Sequence, residues 1–217
     1  MVNGEKNRFI VIEGLDGAGT TTQAHKLSAW LISKGYDAHV TAEPTEGRIG
    51  RIIRQILRGE FLGMDEKTLP PESIAGLFLA DRADHINGEI QPLLKQGTFV
   101  ICDRYLMSSL AYQGIQCGIE WVASVNSTMM APGLTLMVEV EADVAAKRRA
   151  ARADESDLYE VTAFQRQVAD GYRDAARLRP NDNIVTIDGS RSISDVFDEI
   201  VDIVANTYQI PAESNPS

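Results

Sequence analysis

The stretch RFIVIEGLDGAGTTTQAHKLSAWLISKG, residues 8–35, decides how the rest of the chain is read. It begins with a short β-rich apolar run that ends in glycine. Beyond the loop, Ala24, Leu27, Leu31 and Ile32 recur at helical spacing and predict one apolar face, with Gly35 as the stop. Between strand and helix, Gly14, Gly17 and Gly19 free the backbone to curl so that successive N–H groups point inward, and the helix starting near Thr20 adds its positive N-terminal end. Such a nest suits polyphosphate, so Gly14, Leu15, Asp16, Gly17, Ala18, Gly19, Thr20, Thr21 and Thr22 are the expected wall of a nucleotide-phosphate site. Thr21 falls where the motif GxxxxGK(S/T) offers a hydroxyl to Mg2+. Thr20 stands where that motif has lysine, and losing one charge-assisted contact costs about 1.5–3 kcal/mol. In rate this is about tenfold to a hundredfold if the contact acts only at the transition state.

Outward from this unit the same alternation continues. DAHVTAEP reads as a strand, IGRIIRQILRG as a helix, residues 71–97 as one long helix and TFVICD as a buried strand ending in Asp103, the acid that completes a magnesium site with Thr21. RYLMSSLAYQG reads as a loop, followed by a helix over 119–130, the strand LTLMVEV, helices over 142–153 and 161–178, the strand NIVTID and an amphipathic helix over 194–208. Strands alternating with helices, the strands almost continuously apolar, predict an α/β fold of the P-loop NTPase type: a doubly wound parallel sheet of about five strands with helices on both faces.

With 217 residues and 44% hydrophobic content the chain can bury a full core, and no Pro/Gly/Ser tract or repeat divides it, so one domain over 1–217 is expected. A formal net charge of −10 argues against a nucleic-acid surface, and no segment approaches a membrane span, which predicts a cytoplasmic protein. An anionic substrate must then meet local cations: Arg48, Arg51 and Arg54 on one presumed helix, Arg82, Arg104, and the dense set Lys147, Arg148, Arg149 and Arg152.

Taken together, FIVIEGLDGAG, AEPTEGRIGRIIR, LFLADRADHI, DRYLMSSLAYQG, KRRAARADESDLYE and TIDGSRSISDV make the chain resemble, nearly end to end, the thymidylate kinases, P-loop nucleoside monophosphate kinases that phosphorylate dTMP to dTDP. DRYLMSSLAYQG is the most specific of these motifs. Physically, Arg104 suits a bidentate clamp on a monophosphate, and Tyr105 a wall beside it. The resemblance implies ATP as donor, Mg2+ at Thr21 and Asp103, and a homodimer, for which helices such as 71–97 offer a symmetric face. It implies that Phe78 stacks on thymine and that Arg82, on the same helix face at i,i+4, meets the O4 edge or the phosphate. Ser108, Ser109 and Gln113 then line the acceptor site, Tyr112 lies under the sugar and excludes a 2′-hydroxyl, and Asp16 reaches the 3′-hydroxyl or supports the arginine holding the phosphate. Glu43 and Pro44 match the acid/Pro pair after the second strand, but the arginine that often precedes them is Ala42, leaving Arg48 or Arg51 as substitutes.

Some members of that family carry an arginine in the phosphate loop and others supply it from a lid. The loop position here is Gly17, so the chain resembles the lid-supplied type, with a small helical lid over 146–160 and Arg149 and Arg152 as donors of charge to the γ-phosphate. Leu158 stands where another lid arginine is frequent, and Arg148 and Ser190 fall on the adenine side. The alternatives are a kinase for another deoxynucleotide or deoxynucleoside, or a catalytically weak nucleotide-binding relic, the latter motivated by Thr20 and Leu158.

Overall fold

A computed structural model describes residues 7–150, 158–180 and 182–211. Five strands, β1 (Phe9–Gly14), β2 (Ala38–Ala42), β3 (Phe99–Asp103), β4 (Leu134–Glu139) and β5 (Ile184–Asp188), form one sheet in the order β2-β3-β1-β4-β5. Every pairing is parallel. Every residue of β1 and β3 is buried, as the centre of a sheet covered on both faces requires. The helices around it are α1 (Thr20–Ser33), α2 (Arg48–Leu57), α3 (Pro71–His85), α4 (Gln91–Lys95), α5 (Leu106–Tyr112), α6 (Gly114–Cys117), α7 (Ile119–Val125), α8 (Ala142–Ala150), α9 (Leu158–Leu178) and α10 (Ile193–Tyr208). Among the described residues no helix is long and apolar enough to cross a membrane.

Because all strands run the same way, their carboxyl ends share one edge: Ile12 pairs with Asp103, Asp103 with Ala42, and Gly14 with Val138. The chain leaves β1 toward one side of the sheet and reaches β4 on the other, so the glycine loop after β1 sits at the switch point where open α/β sheets hold ligands. The loop needs its glycines there. Gly17 and Gly19 have φ of 95° and 94°, and a Cβ on Gly14 would lie 2.7 Å from the Val138 carbonyl oxygen.

Several local expectations change. The single helix over 71–97 is α3, a π-helical turn at Ile86–Ile90, and α4. Pro92 lacks an N–H and its ring crowds the carbonyl four residues back, so the helix widens just before it. RYLMSSLAYQG is not a loop: α5 occupies most of it, with Leu106, Met107, Leu110 and Ala111 buried. The first amides of α5 are satisfied by Glu13 of β1, a partner too distant in sequence to be read as a cap. The helix expected over 119–130 stops at Val125, where Asn126 turns its side-chain amide back onto the Val122 carbonyl. Ile32, one residue or about 100° beyond Leu31 on the α1 wheel, faces solvent at 56% exposure. Of the helix expected over 142–153, the last three residues lie outside those described.

α5 packs against α9 through a glycine. A Cβ on Gly171 would stand 2.8 Å from the Ala111 carbonyl oxygen and 3.0 Å from its Cα, both backbone atoms. Gly171→Ala should therefore lose about 1–2 kcal/mol in urea unfolding, because overpacking at about 1–3 kcal/mol outweighs a helix-propensity gain of about 1 kcal/mol. A variant as stable as wild type or more so would show that the two helices can separate without cost.

Candidate active site

The glycine loop closes over the end of β3. Thr21 Oγ1 donates to Asp103 Oδ2, and Asp103 Oδ1 is buried without a hydrogen-bond partner in a carboxylate only 8% exposed. An orphaned carboxylate oxygen beside a hydroxyl, at the mouth of a nest of amides, fits a hard divalent cation that takes its other ligands from phosphate oxygens and water. Among the described residues no group of three or more His, Cys, Asp or Glu side chains forms a metal cage. Thr20 turns inward at 5% exposure, its methyl 3.2 Å from where a Gly14 Cβ would lie. Arg148 donates to the carbonyls of Gly189 and Ser190, at 2.9 and 3.3 Å, tying α8 to the turn after β5. The Arg149 side chain and Arg152 lie outside the described residues, as does much of the stretch 146–160.

Beside the loop opens a cavity of about 430 Å3. Every acceptor-side residue named from the sequence lies in its wall: Asp16, Glu43, Pro44, Phe78, Arg82, Arg104, Tyr105, Ser108, Ser109, Tyr112 and Gln113. Arg104 stands at the loop end, where Nη2 donates to Asp16 Oδ1 at 2.8 Å and Nη1 reaches Tyr172 and Ser108 at 3.3 and 3.4 Å. Its backbone is left-handed, φ 71°, a conformation that costs a non-glycine residue about 1–3 kcal/mol and so must be held by its surroundings. Tyr112 donates to Asp16 Oδ2 at 3.3 Å. Arg82 occupies the far wall, 1% exposed, paired with Glu43 and lying over the Tyr105 ring at 4.9 Å.

Glu13 organises the Arg104 turn from beneath. Wholly buried, it accepts from the Tyr105 and Ser108 amides at 2.9 and 3.2 Å, from the Ser108 hydroxyl at 2.5 Å and from the Tyr172 hydroxyl at 3.3 Å. Burial pushes its carboxyl above the usual carboxylate range, and the Ser108 bonds, the Arg104 charge and the Tyr105 amide offset only part of that rise.

The sequence profile of the thymidylate kinase family matches residues 12–200. The chain belongs to the thymidylate kinase family. A probable thymidylate kinase of Pyrococcus horikoshii is 38% identical over 197 residues, covering 90% of this chain and 95% of that protein. One from Thermococcus onnurineus is 38% identical over 199 residues, covering 90% and 96%, and a thymidylate kinase of Maridesulfovibrio salexigens is 33% identical over 205 residues, covering 88% and 92%.

Against the pattern expected of a thymidylate kinase, the structure makes one correction and several additions. The arginine that reaches the Glu43–Pro44 turn is neither Arg48 nor Arg51 but Arg54, which donates to the carbonyls of Pro44 and Thr45 and to Glu46. Its place on α2 sets Arg54 over the turn, which Asp81 also holds through the Thr45 amide and hydroxyl. Sequence reasoning missed Glu13, Asn126, Gln165 and Tyr172. Only Glu13 carried a signal, a carboxylate inside an apolar strand; the others meet their distant partners across 44 to 159 residues.

A carboxyl whose folded pKa lies above its free value of 4.5 stabilises the fold only while protonated. That contribution is complete below about pH 4.5 and declines as pH rises through the raised value. Wild type should therefore lose stability relative to Glu13→Gln from pH 4.5 toward neutrality, read as the difference in urea midpoints. A difference that stays level, or grows in favour of wild type, would refute the raised value.

Proposed function

We propose that the protein transfers the γ-phosphoryl group of ATP to dTMP, giving dTDP, with Mg2+ held at Thr21 and Asp103. The observation that supports this most is the acceptor cavity, in which a stacking ring, a sugar-side tyrosine and a phosphate-clamping arginine converge on the edge of the glycine loop. Nest amides from Gly14 to Thr22 cradle the donor phosphates. Arg104, presented by its strained turn, binds the acceptor phosphate, and Asp16 orients that arginine while remaining half exposed toward the sugar. Phe78 stacks on the base, and Tyr112 closes the space a 2′-hydroxyl would need. Thr21 and Asp103 would hold Mg2+, which would supply positive charge against the donor phosphates.

Phosphoryl transfer asks for positioning and charge neutralisation more than for a general base, so an arginine can do much of what the missing lysine does. We read Arg149 and Arg152, in a lid over 146–160, as that source, and the lid as the element that excludes water so that transfer prevails over hydrolysis. We further read the protein as a cytoplasmic homodimer acting as one domain, with Gly76 and Ala80 exposed and Leu77 and Leu79 half-buried on α3 as a flat face for the second copy. A deoxynucleoside kinase or a silent relic is less favoured, because neither needs the full set of acceptor contacts.

The test is direct detection of product from ATP, Mg2+ and a panel of dTMP, dUMP, UMP, CMP, AMP, dGMP and thymidine. Selective dTDP formation is expected. Arg104→Ala should lower kcat/KM for dTMP about a hundredfold or more, as loss of a charged contact to phosphate does. Arg149→Ala or Arg152→Ala should cut turnover far more than Thr20→Ala; equal, small effects would sink the lid-arginine reading. ATP binding without turnover, restored by Thr20→Lys, would show a silenced kinase instead.

A further inference from the structure

Tyr172 does not line the acceptor cavity, yet its hydroxyl stands between Arg104 and the start of the glycine loop. The residue is 5% exposed, and packing sets its ring: Gly171 lets α9 approach the backbone of Ala111, and the Tyr172 ring meets that of Tyr112 edge-on at 6.3 Å. Arg104 Nη1 donates to the hydroxyl oxygen at 3.3 Å. That oxygen lies 3.1 Å from the carbonyl of Gly14, the last residue of β1, and 2.8 and 3.3 Å from Ser108 Oγ and Glu13 Oε2. A hydroxyl carries one hydrogen and two lone pairs, so it accepts from the arginine while donating to one of these oxygens. A cationic donor polarises the O–H it points at, and each bond then strengthens the other. Whichever acceptor holds the hydrogen, the same oxygen stays fixed between the guanidinium and the end of β1.

Each of these two elements keeps supports of its own without Tyr172. Arg104 retains Asp16 at 2.8 Å and Ser108 and Tyr112 at 3.4 and 3.5 Å. The loop retains the bond of Thr21 to Asp103 and its own turn, in which the Ala18 amide donates to the Leu15 carbonyl. What they would lose is a buried tie to each other. The direct ion pair of Arg104 with Asp16 is 50% exposed at the carboxylate, so water and ligand oxygens compete for it.

We propose that Tyr172 is a positioning residue for phosphoryl transfer: through one hydroxyl it fixes the register between Arg104, which holds the acceptor phosphate, and the glycine loop, which holds the donor phosphates. This rests on the reading of the protein as a kinase of dTMP. In-line transfer depends on the distance and angle between two separately bound phosphates, and a displacement of about 1 Å costs about a hundredfold in rate. Binding of either nucleotide alone depends on one element and not on the register.

The experiment compares wild type with Tyr172→Phe in the full chain. Calorimetry gives the dissociation constants of dTMP and of ATP with Mg2+, each titrated alone. Rapid mixing gives the single-turnover rate of dTDP formation at saturating dTMP, with enzyme in excess of ATP. Tyr172→Phe keeps the ring and loses the hydroxyl, so both dissociation constants should stay within about twofold of wild type while the transfer rate falls about tenfold to a hundredfold. If Tyr172→Phe does not fold, Tyr172→Met, flexible enough to fill irregular space, carries the same expectation. A transfer rate within about twofold of wild type, with or without a lowered urea midpoint, would mean that Tyr172 only supports the fold and would overturn the inference. Weakening of dTMP or of ATP by about tenfold or more would also overturn it, because the hydroxyl would then serve one element rather than the register. A wild type that forms no dTDP overturns the dTMP reading and this inference together, whereas an active wild type with an unchanged rate in the variant overturns this inference alone.

Discussion

Glu13 is the last residue but one of a strand that is buried along its whole length, and a carboxylate in that position must find donors or stay protonated. The donors it finds belong to the turn after the neighbouring strand and to α9: two amides and a hydroxyl from Tyr105 and Ser108, and the Tyr172 hydroxyl. Tyr172 also donates to the Gly14 carbonyl at the mouth of the glycine loop. One buried acid thus couples the phosphate loop, the left-handed Arg104, the start of α5 and α9. Take it away and the strained arginine has nothing beneath it to hold its φ of 71°.

Two arginine–carboxylate pairs then divide the cavity between them, and their exposure separates their duties. Arg82 and Glu43 are 1% and 3% exposed, and Arg82 also bonds Ser109, Asn126 and the Tyr105 carbonyl. Such a pair is costly to assemble and costly to break, and it gives the site geometry rather than charge. Arg104 and Asp16 are 19% and 50% exposed and so contribute little to stability, but their charges remain available to a ligand. The first pair shapes the far wall of the cavity, and the second lies beside the glycine loop.

Much of this was legible without coordinates because it depends on local patterns. The alternation of apolar runs with helical periods announced a parallel sheet, and residues such as Phe78 and Arg82 share a helix face by spacing alone. The residues that line the cavity beside the glycine loop were picked out by family resemblance, carried by motifs such as DRYLMSSLAYQG. α5 was misread as a loop because the group that caps it comes from β1, and the break at Pro92 gave no hint that the helix would widen rather than stop. Arg54 was passed over for Arg48 and Arg51 because which arginine of a helix reaches a turn depends on how that helix is set down, not on its order in the sequence.

By itself, then, the sequence determined the fold class and the glycine loop with its missing lysine, since each follows from residue types at short spacing, and its motifs carried the family resemblance that picked out side chains now found lining one cavity. Tertiary structure decided what those side chains are free to do. It left Asp103 with an unpartnered oxygen and bound Arg82 to Glu43, Ser109, the Tyr105 carbonyl and Asn126. The reason is physical: hydrogen-bond saturation and desolvation are properties of a packed neighbourhood, and these neighbours come from strands and helices far apart in the chain.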